Sequence, residues 1–232
     1  MKSLLLFFFF LLIPVLLAQT ASEVEITSEP SHHLALENEL VRVFKVEVAP
    51  HISTLMHRHH HDYVFVTLGN AHVSNEVAGK PPVELTLNDG DTRFVPGNFA
   101  HVARNLADQP FRNVTIELLQ DEALRQKPSH WGSVESGEKT FPGGSSRILF
   151  VKDGVRVSEI NLEAGATVPS HHHDAAHLIV ALTDLDLRSD IEGKGTKSAQ
   201  MKSGDANWVP GGYTHTLTNA SKNPARFVAV EF

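Results

Sequence analysis

One histidine layout occurs twice in this chain. His57, His59 and His101 recur as His171, His173 and His215, each a step of 114 residues. A repeat of that length constrains the fold more than any local propensity does, because both copies must adopt one shared topology. Register holds without a gap from Ser31 against Ser145 to Leu118 against Phe232, and roughly 20 of about 80 aligned positions from residue 37 are identical. They include Val41-Arg42-Val43 against Val155-Arg156-Val157, Gly90-Asp91 against Gly204-Asp205, Val95-Pro96-Gly97 against Val209-Pro210-Gly211, and Glu117 against Glu231. The expected units are residues 24–120 and 145–232. They are joined by a connection, 121–144, that opens with a short helix at Glu122–Gln126 and ends Gly-rich.

Within each copy the pattern predicts strands. Leu40–Val48, Val155–Leu162, His57–Leu68 and His171–Leu182 alternate apolar and polar residues, and Gly, Pro, Asn and Asp punctuate them. Short, evenly spaced strands imply an all-β sandwich or barrel, and a barrel leaves no sheet edge exposed. By parity His57, His59, Tyr63, Phe65 and Thr67 share one face, as do His171, His173, His177, Ile179 and Ala181. The opposite faces, Val64, Val66, Leu68 and Leu178, Val180, Leu182, are aliphatic and need cover. The two units are therefore expected to pack on each other through them.

Residues 1–18 are expected to be a signal peptide. Lys2 precedes an apolar run over residues 4–17, with Ala18 at the cut. The mature chain is then secreted or periplasmic, with no membrane association once the signal is removed. Cysteine is absent, so disulfides and thiolate ligands are excluded. With 27 acidic against 20 basic residues, nothing favours nucleic acid. The expected partner is a small-molecule ligand or substrate, and a homodimer is left open.

Two histidines at i and i+2 on a strand project side by side and can share one ion. His101 or His215, on a strand launched by Pro96-Gly97 or Pro210-Gly211, would add a third nitrogen. The cofactor expected is a divalent transition metal, one per unit: Fe, Zn, Cu, Ni or Mn.

These motifs resemble the signatures of the cupin superfamily, and the duplication resembles a bicupin. The second copy carries Gly165, His171, His173, then Gly204, Pro210, Gly212, His215 and Asn219 at the family spacing. The first carries His57, His59, Gly69, then Gly90, Pro96, His101 and Asn105, with His51 at the opening glycine and Asn98 at the Pro-x-Gly glycine. The resemblance implies two tandem barrels of double-stranded β-helix, jelly-roll type. It also implies a glutamate as fourth ligand, and there the chain departs, with Tyr63 in the first copy and His177 in the second. His177 would complete a four-nitrogen cage with His171, His173 and His215. In the first copy Tyr63 or His61 stands near the fourth position.

The resemblance leaves the activity open. One expectation is a metalloenzyme of dioxygenase or lyase type acting on a small enolisable or phenolic compound. The other is a non-catalytic binder with structural metal, in which the second, four-ligand site is the staple and the first is the working site. Asp62 and Asp174 are expected to orient ligand imidazoles only as a minor reading, and Trp208 and Tyr213 to line a pocket mouth likewise. Glu117 and Glu231 are expected to face solvent. Asn113-Val-Thr and Asn219-Ala-Ser match a glycosylation pattern but fall in strand segments.

Overall fold

The structure is a computed structural model that describes residues 22–120 and 137–232. The expected signal peptide and the helix at Glu122–Gln126 lie outside the described residues. Among these residues no helix is long and apolar enough to cross a membrane.

Four sheets account for nearly all the regular structure. In the first half, one sheet orders β1 (Val24–Glu25), β4 (His57–His59), β9 (Phe99–Asn105), β6 (Ala71–Val77) and β7 (Val83–Leu87). The other orders β2 (His32–Glu37), β3 (Val41–Val48), β10 (Phe111–Leu118), β5 (Tyr63–Leu68) and β8 (Thr92–Val95). The second half repeats both orders. β14 (Thr167–His173), β19 (Tyr213–Asn219), β16 (Leu185–Ile191) and β17 (Gly195–Met201) match the first sheet without β1. β12 (Gly144–Lys152), β13 (Val155–Leu162), β20 (Ala225–Glu231), β15 (His177–Ala181) and β18 (Ala206–Val209) match the second, with β11 (Glu138–Phe141) added at its edge. Every pairing is antiparallel except β1 with β4. Each half is thus two mainly antiparallel sheets, consistent with the expected double-cupin arrangement, and the 114-residue repeat is a repeat of topology.

Strand parity decides what each face does. Along β10, Val114, Ile116 and Leu118 point one way and Thr115 and Glu117 the other; along β20, Val228 and Val230 oppose Phe227, Ala229 and Glu231. The first set joins Val64, Val66, Leu68, Leu178, Val180 and Leu182 in one core cluster built from both halves. The expected packing of aliphatic face on aliphatic face is what the chain does, and each fully buried valine or leucine there contributes about 1.5–3 kcal/mol. The contacts are reciprocal. A Cβ on Gly90 would lie 3.2 Å from Leu182, and one on Gly204 would lie 2.9 Å from Leu68. Arg226 also crosses between the halves to Asp89 at 2.7 Å.

Each half keeps a second, interior core between its own two sheets. Phe44, Val46, Val73, Leu87 and Phe111 form one, and Ile160, Leu162, Leu187, Leu217 and Phe227 the other. Asn105 and Asn219 close the ends of these interiors. Each donates its side-chain amide to three backbone carbonyls, among them Gln109 at 2.7 Å and Asn223 at 2.8 Å. Asn219 and Asn113 are both buried, so neither is presented to a glycosylation enzyme.

The two departures from the cupin glycines are explained by backbone conformation. His51 and Asn98 have φ of 60° and 62°, in the left-handed region where Gly165 and Gly212 stand in the second half, at 75° and 77°. Glycine reaches that region without strain, and asparagine tolerates it.

The stretch His57–Leu68 is not one strand. The chain leaves the first sheet after His59 and enters the second at Tyr63, with a bend over residues 60–62. The same change of sheet separates β14 from β15. The parity of the inward residues survives the change, so both strands still aim their odd-numbered side chains inside.

Candidate metal centres

In the second half β14 carries His171 and His173, two residues apart and on one face, while β19 sets His215 directly across from His171. Their ring centroids lie 4.4–5.2 Å apart, and Nε2 of His171 and of His215 approach to 3.0 Å. Each ring is held by its other nitrogen. His171 Nδ1 donates to the Pro169 carbonyl at 2.8 Å, His173 Nδ1 donates to Glu231 Oε1 at 3.2 Å, and His215 Nδ1 meets Ser189 Oγ at 2.6 Å. A ring whose Nδ1 carries the proton presents a bare lone pair at Nε2, the tautomer a metal ligand needs. The three residues bring a nitrogen each within 4.8 Å of one another.

The first half repeats this construction at the same offset. His57, on β4, pairs in register with His101 on β9. His57 Nδ1 donates to the Leu55 carbonyl at 2.9 Å and His101 Nδ1 meets Asn75 Oδ1 at 2.6 Å, but His59 Nδ1, 3.6 Å from Glu117 Oε1, makes no hydrogen bond. Leu55, Asn75 and Glu117 occupy the positions of Pro169, Ser189 and Glu231 in the repeat. Nε2 of His57 and Nε2 of His101 are both buried with no hydrogen-bond partner. An orphaned buried nitrogen costs about 1–3 kcal/mol. Two of them converging, with rings 4.5 Å apart, fit a cation that would satisfy both. Burial also holds these imidazoles neutral, with His57 lowered to about 4 and His59 and His101 to about 2. His177 and His215 are lowered to about 3 by the same cause. Each half therefore holds one histidine cluster suited to a divalent transition metal.

The residues at the family's glutamate position behave alike in both halves. Tyr63 stacks on His59 with centroids 4.1 Å apart, and His177 stacks on His173 at 4.0 Å. Both are buried ring platforms behind a cluster histidine. The nitrogens gathered most closely in the second half are those of His171, His173 and His215. His61 lies in the bend between β4 and β5 rather than on a strand.

The expectation that Glu117 and Glu231 face solvent is overturned. Their relative exposures are 1 % and 9 %, and each faces a cluster histidine on one side and an arginine on the other. Arg156 Nε donates to Glu231 Oε2 at 2.5 Å, and Arg42 Nη1 donates to Glu117 Oε2 at 3.3 Å. Burial alone would raise the Glu231 carboxyl, but the hydrogen bond from His173 and the Arg156 charge outweigh it and hold it down at about 2. Glu117, with its looser contacts, is raised by burial, which Arg42 only partly opposes. The signal was present in sequence, since both the arginine and the glutamate are identities of the repeat. Asp62 accepts from the Gly97 N–H at 2.8 Å and Asp174 pairs with exposed His172. Glu117 and Glu231 are the carboxylates that face the repeated cluster rings His59 and His173.

The centres differ in access. His57, His59 and His101 are buried, whereas the second cluster lines a cavity of about 710 Å³. Its walls include Ile179, Phe227, Trp208 and Tyr213, with Lys194 and Lys197 also on the lining. The open centre is the second and the closed one the first, the reverse of the order expected for a staple and a working site. The first is covered by the segment that runs from β1 through a short 3-10 turn, Ile26–Ser28, into β2. That segment brings in Glu29 and His32, which the repeat could not reveal because the aligned residues are Gly143 and Ser146. His32, His57 and His59 place a nitrogen each within 4.8 Å of one another.

No protein-family profile matches the chain, and no curated protein matches it in sequence. Solved structures do match. A serine-to-alanine variant of Bacillus subtilis oxalate decarboxylase superposes with a TM-score of 0.62 at 12% identity, over 84% of this chain and 69% of that one. A structure of oxalate decarboxylase described for its substrate binding mode and reaction specificity gives 0.62 at 13%, over 86% and 74%. The Lactobacillus farciminis oxalate decarboxylase formate complex gives 0.62 at 14%, over 84% and 77%. At such identities the likeness establishes the fold alone, a bicupin-like arrangement of two repeated halves.

Proposed function

We propose that the chain is an exported, metal-dependent enzyme of dioxygenase or lyase type. Each repeat unit, 24–120 and 145–232, is taken as one metal-binding module, and the working centre is the C-terminal one. The observation that carries this reading is the opening of three histidines held by hydrogen bonds at Nδ1, His171, His173 and His215, into a cavity of about 710 Å³. A catalytic site needs a vacancy at the ion, and a structural one does not. When bound, the cation supplies Lewis acidity and open positions for oxygen ligands.

The residues around it favour a particular kind of substrate. A cavity within the range of about 300–1,000 Å³ is a small-molecule site, more room than a bare dicarboxylate needs. Ile160, Ile179, Leu187 and Phe227 offer apolar contact to a ring or alkyl body, and Lys194 and Lys197 attract an anion such as an enolate or phenolate. Glu231, held ionised by Arg156, serves as an acceptor that fixes the His173 ring and not as a proton donor. His177 also lines the wall and backs the cluster, its ring stacked on His173 at 4.0 Å. The substrate class is therefore a small enolisable or phenolic compound with chelating oxygens.

The test is to load the mature chain with Mn, Fe(II), Co, Ni, Cu or Zn and screen diketones, flavonols and oxalate, recording O₂ uptake and CO₂ release. Turnover that His171→Ala with His215→Ala abolishes supports the proposal. Metal bound at that centre with no turnover on any substrate supports instead a non-catalytic binder, the reading that the closed first centre favours.

A further inference from the structure

We infer that His32 is the fourth nitrogen ligand of the first centre and that it closes that centre to outside ligands. The inference rests on the reading of His57, His59 and His101 as a metal site and extends it to a residue outside the repeated motif.

The His32 side chain is 5 % exposed, and its ring lies 4.7 Å from His57 and 6.3 Å from His59. Its Nδ1 meets Glu29 Oε2 at 2.6 Å, so the nitrogen left for the cluster is Nε2, as in His57 and His101. Glu29 is built for this task. Its side chain is 1 % exposed, and its carboxylate also accepts from the backbone N–H groups of Ser31 at 2.9 Å and Leu55 at 3.2 Å. A buried carboxylate is tolerated only when its lone pairs are filled, and here three donors fill them. Burial opposes ionisation, but these hydrogen bonds prevail and the Glu29 carboxyl is lowered. The Leu55 peptide joins the two sides of the cluster. Its N–H binds Glu29 and its carbonyl accepts from His57 Nδ1.

The backbone around His32 is anchored independently of any ion. Val24 pairs with His57 across β1 and β4, Ile26 is buried in the interior core, and His32 pairs in register with Val46. In the second half the residue in the same register, opposite Ile160, is Ser146, which lines the open cavity. One position thus separates the two centres: a histidine stands beside the closed one, and a serine, shorter and without an imidazole nitrogen, lines the open one. His32, His57 and His59, with His101 as the fourth, would offer a cation four protein nitrogens, the ligand number of a structural site.

The experiment uses the full mature chain carrying His171→Ala and His215→Ala, loaded with Co(II). Visible absorption reports coordination, and competition with a chelator reports affinity. The expected result is a four-coordinate spectrum that azide does not shift. His32→Ala should lower affinity at least about tenfold and let azide shift the spectrum. Glu29→Gln, which keeps the ring but loosens its anchor, should give a smaller loss. Circular dichroism checks that each variant is folded. An azide-sensitive spectrum before any change at His32 overturns the inference without needing a variant. Loss of Co(II) in His57→Ala but unchanged affinity in folded His32→Ala refutes the fourth ligand alone. Failure of the parent chain to bind Co(II) removes the first metal centre itself, and the inference with it.

Discussion

Lowering the pH of the metal-free chain should unfold it well above the usual acid range. The cause is the set of buried neutral imidazoles. His57 is held at about 4, His59 and His101 at about 2, and His177 and His215 at about 3, all by burial. In the unfolded chain each returns to about 6.5. The unfolded state therefore binds more protons, so the contribution to stability is complete above 6.5 and is lost as pH falls from there toward the folded values. Each ring loses ~1.4 kcal/mol per pH unit in that window, so five together lose ~7 kcal/mol by about pH 5.5. Since a domain of ordinary stability has only about 5–15 kcal/mol, the midpoint should fall between about pH 6 and 4.3, according to where in that range the chain lies. The depressed carboxyl of Glu231 adds nothing there, because its own window opens only below 4.5. A cation at a thousand times its dissociation constant adds ~4 kcal/mol per site. Two filled sites should therefore move the midpoint down by roughly one pH unit. Tryptophan fluorescence and circular dichroism against pH, on chelator-treated and metal-loaded protein, measure this. A metal-free chain that stays folded to pH 4, with the same midpoint as the loaded one, would show that the imidazoles protonate freely and are not buried ligands.

Other substitutions test the supports around the centres. Glu231→Gln removes the charged acceptor from His173 Nδ1 and should weaken metal binding at the second centre by about 10–100-fold, read by competition titration. Leu178→Ala cuts into the core shared by both halves and should cost about 2–5 kcal/mol. Both halves should then melt in one transition shifted downward, and a scan in which only one half moves would contradict the shared core. Gly211→Ala drives a methyl to 2.5 Å from the Ala175 carbonyl oxygen and should destabilise the strand that carries His215. Its thermal midpoint should fall, whereas a midpoint equal to the parent's would mean that the backbones are not in contact there.

Much of this architecture was legible because the repeat exposes it. A constant offset fixes shared topology, and parity along Tyr63–Leu68 and His177–Ala181 separated the inward rings from the aliphatic faces that join the halves. The change of sheet at residues 60–62 was not legible, because three residues of bend preserve the inward parity of His59 and Tyr63. Glu117 and Glu231 were misread because a carboxylate on a terminal strand position is usually solvated. Here the facing Arg42 and Arg156, with His59 and His173 on the other side, accompany it inside. His32 was missed for a different reason. It belongs to a strand whose register shifts between Leu34 and Leu36, and its neighbour His33 gives the pair no distinguishing pattern. Asn75 and Ser189 differ in kind, yet both meet a histidine Nδ1 at 2.6 Å, a shared role that residue identity conceals.

Elemental analysis with nitrogen-shell X-ray absorption on the mature chain addresses the account most directly. The prediction is two transition-metal ions per chain, one of them lost in His57→Ala and the other in His171→Ala, each surrounded by imidazole nitrogens at about 2.0–2.1 Å if the ion is zinc. A chain that takes up no ion from any of the six metals while keeping its fold would contradict it.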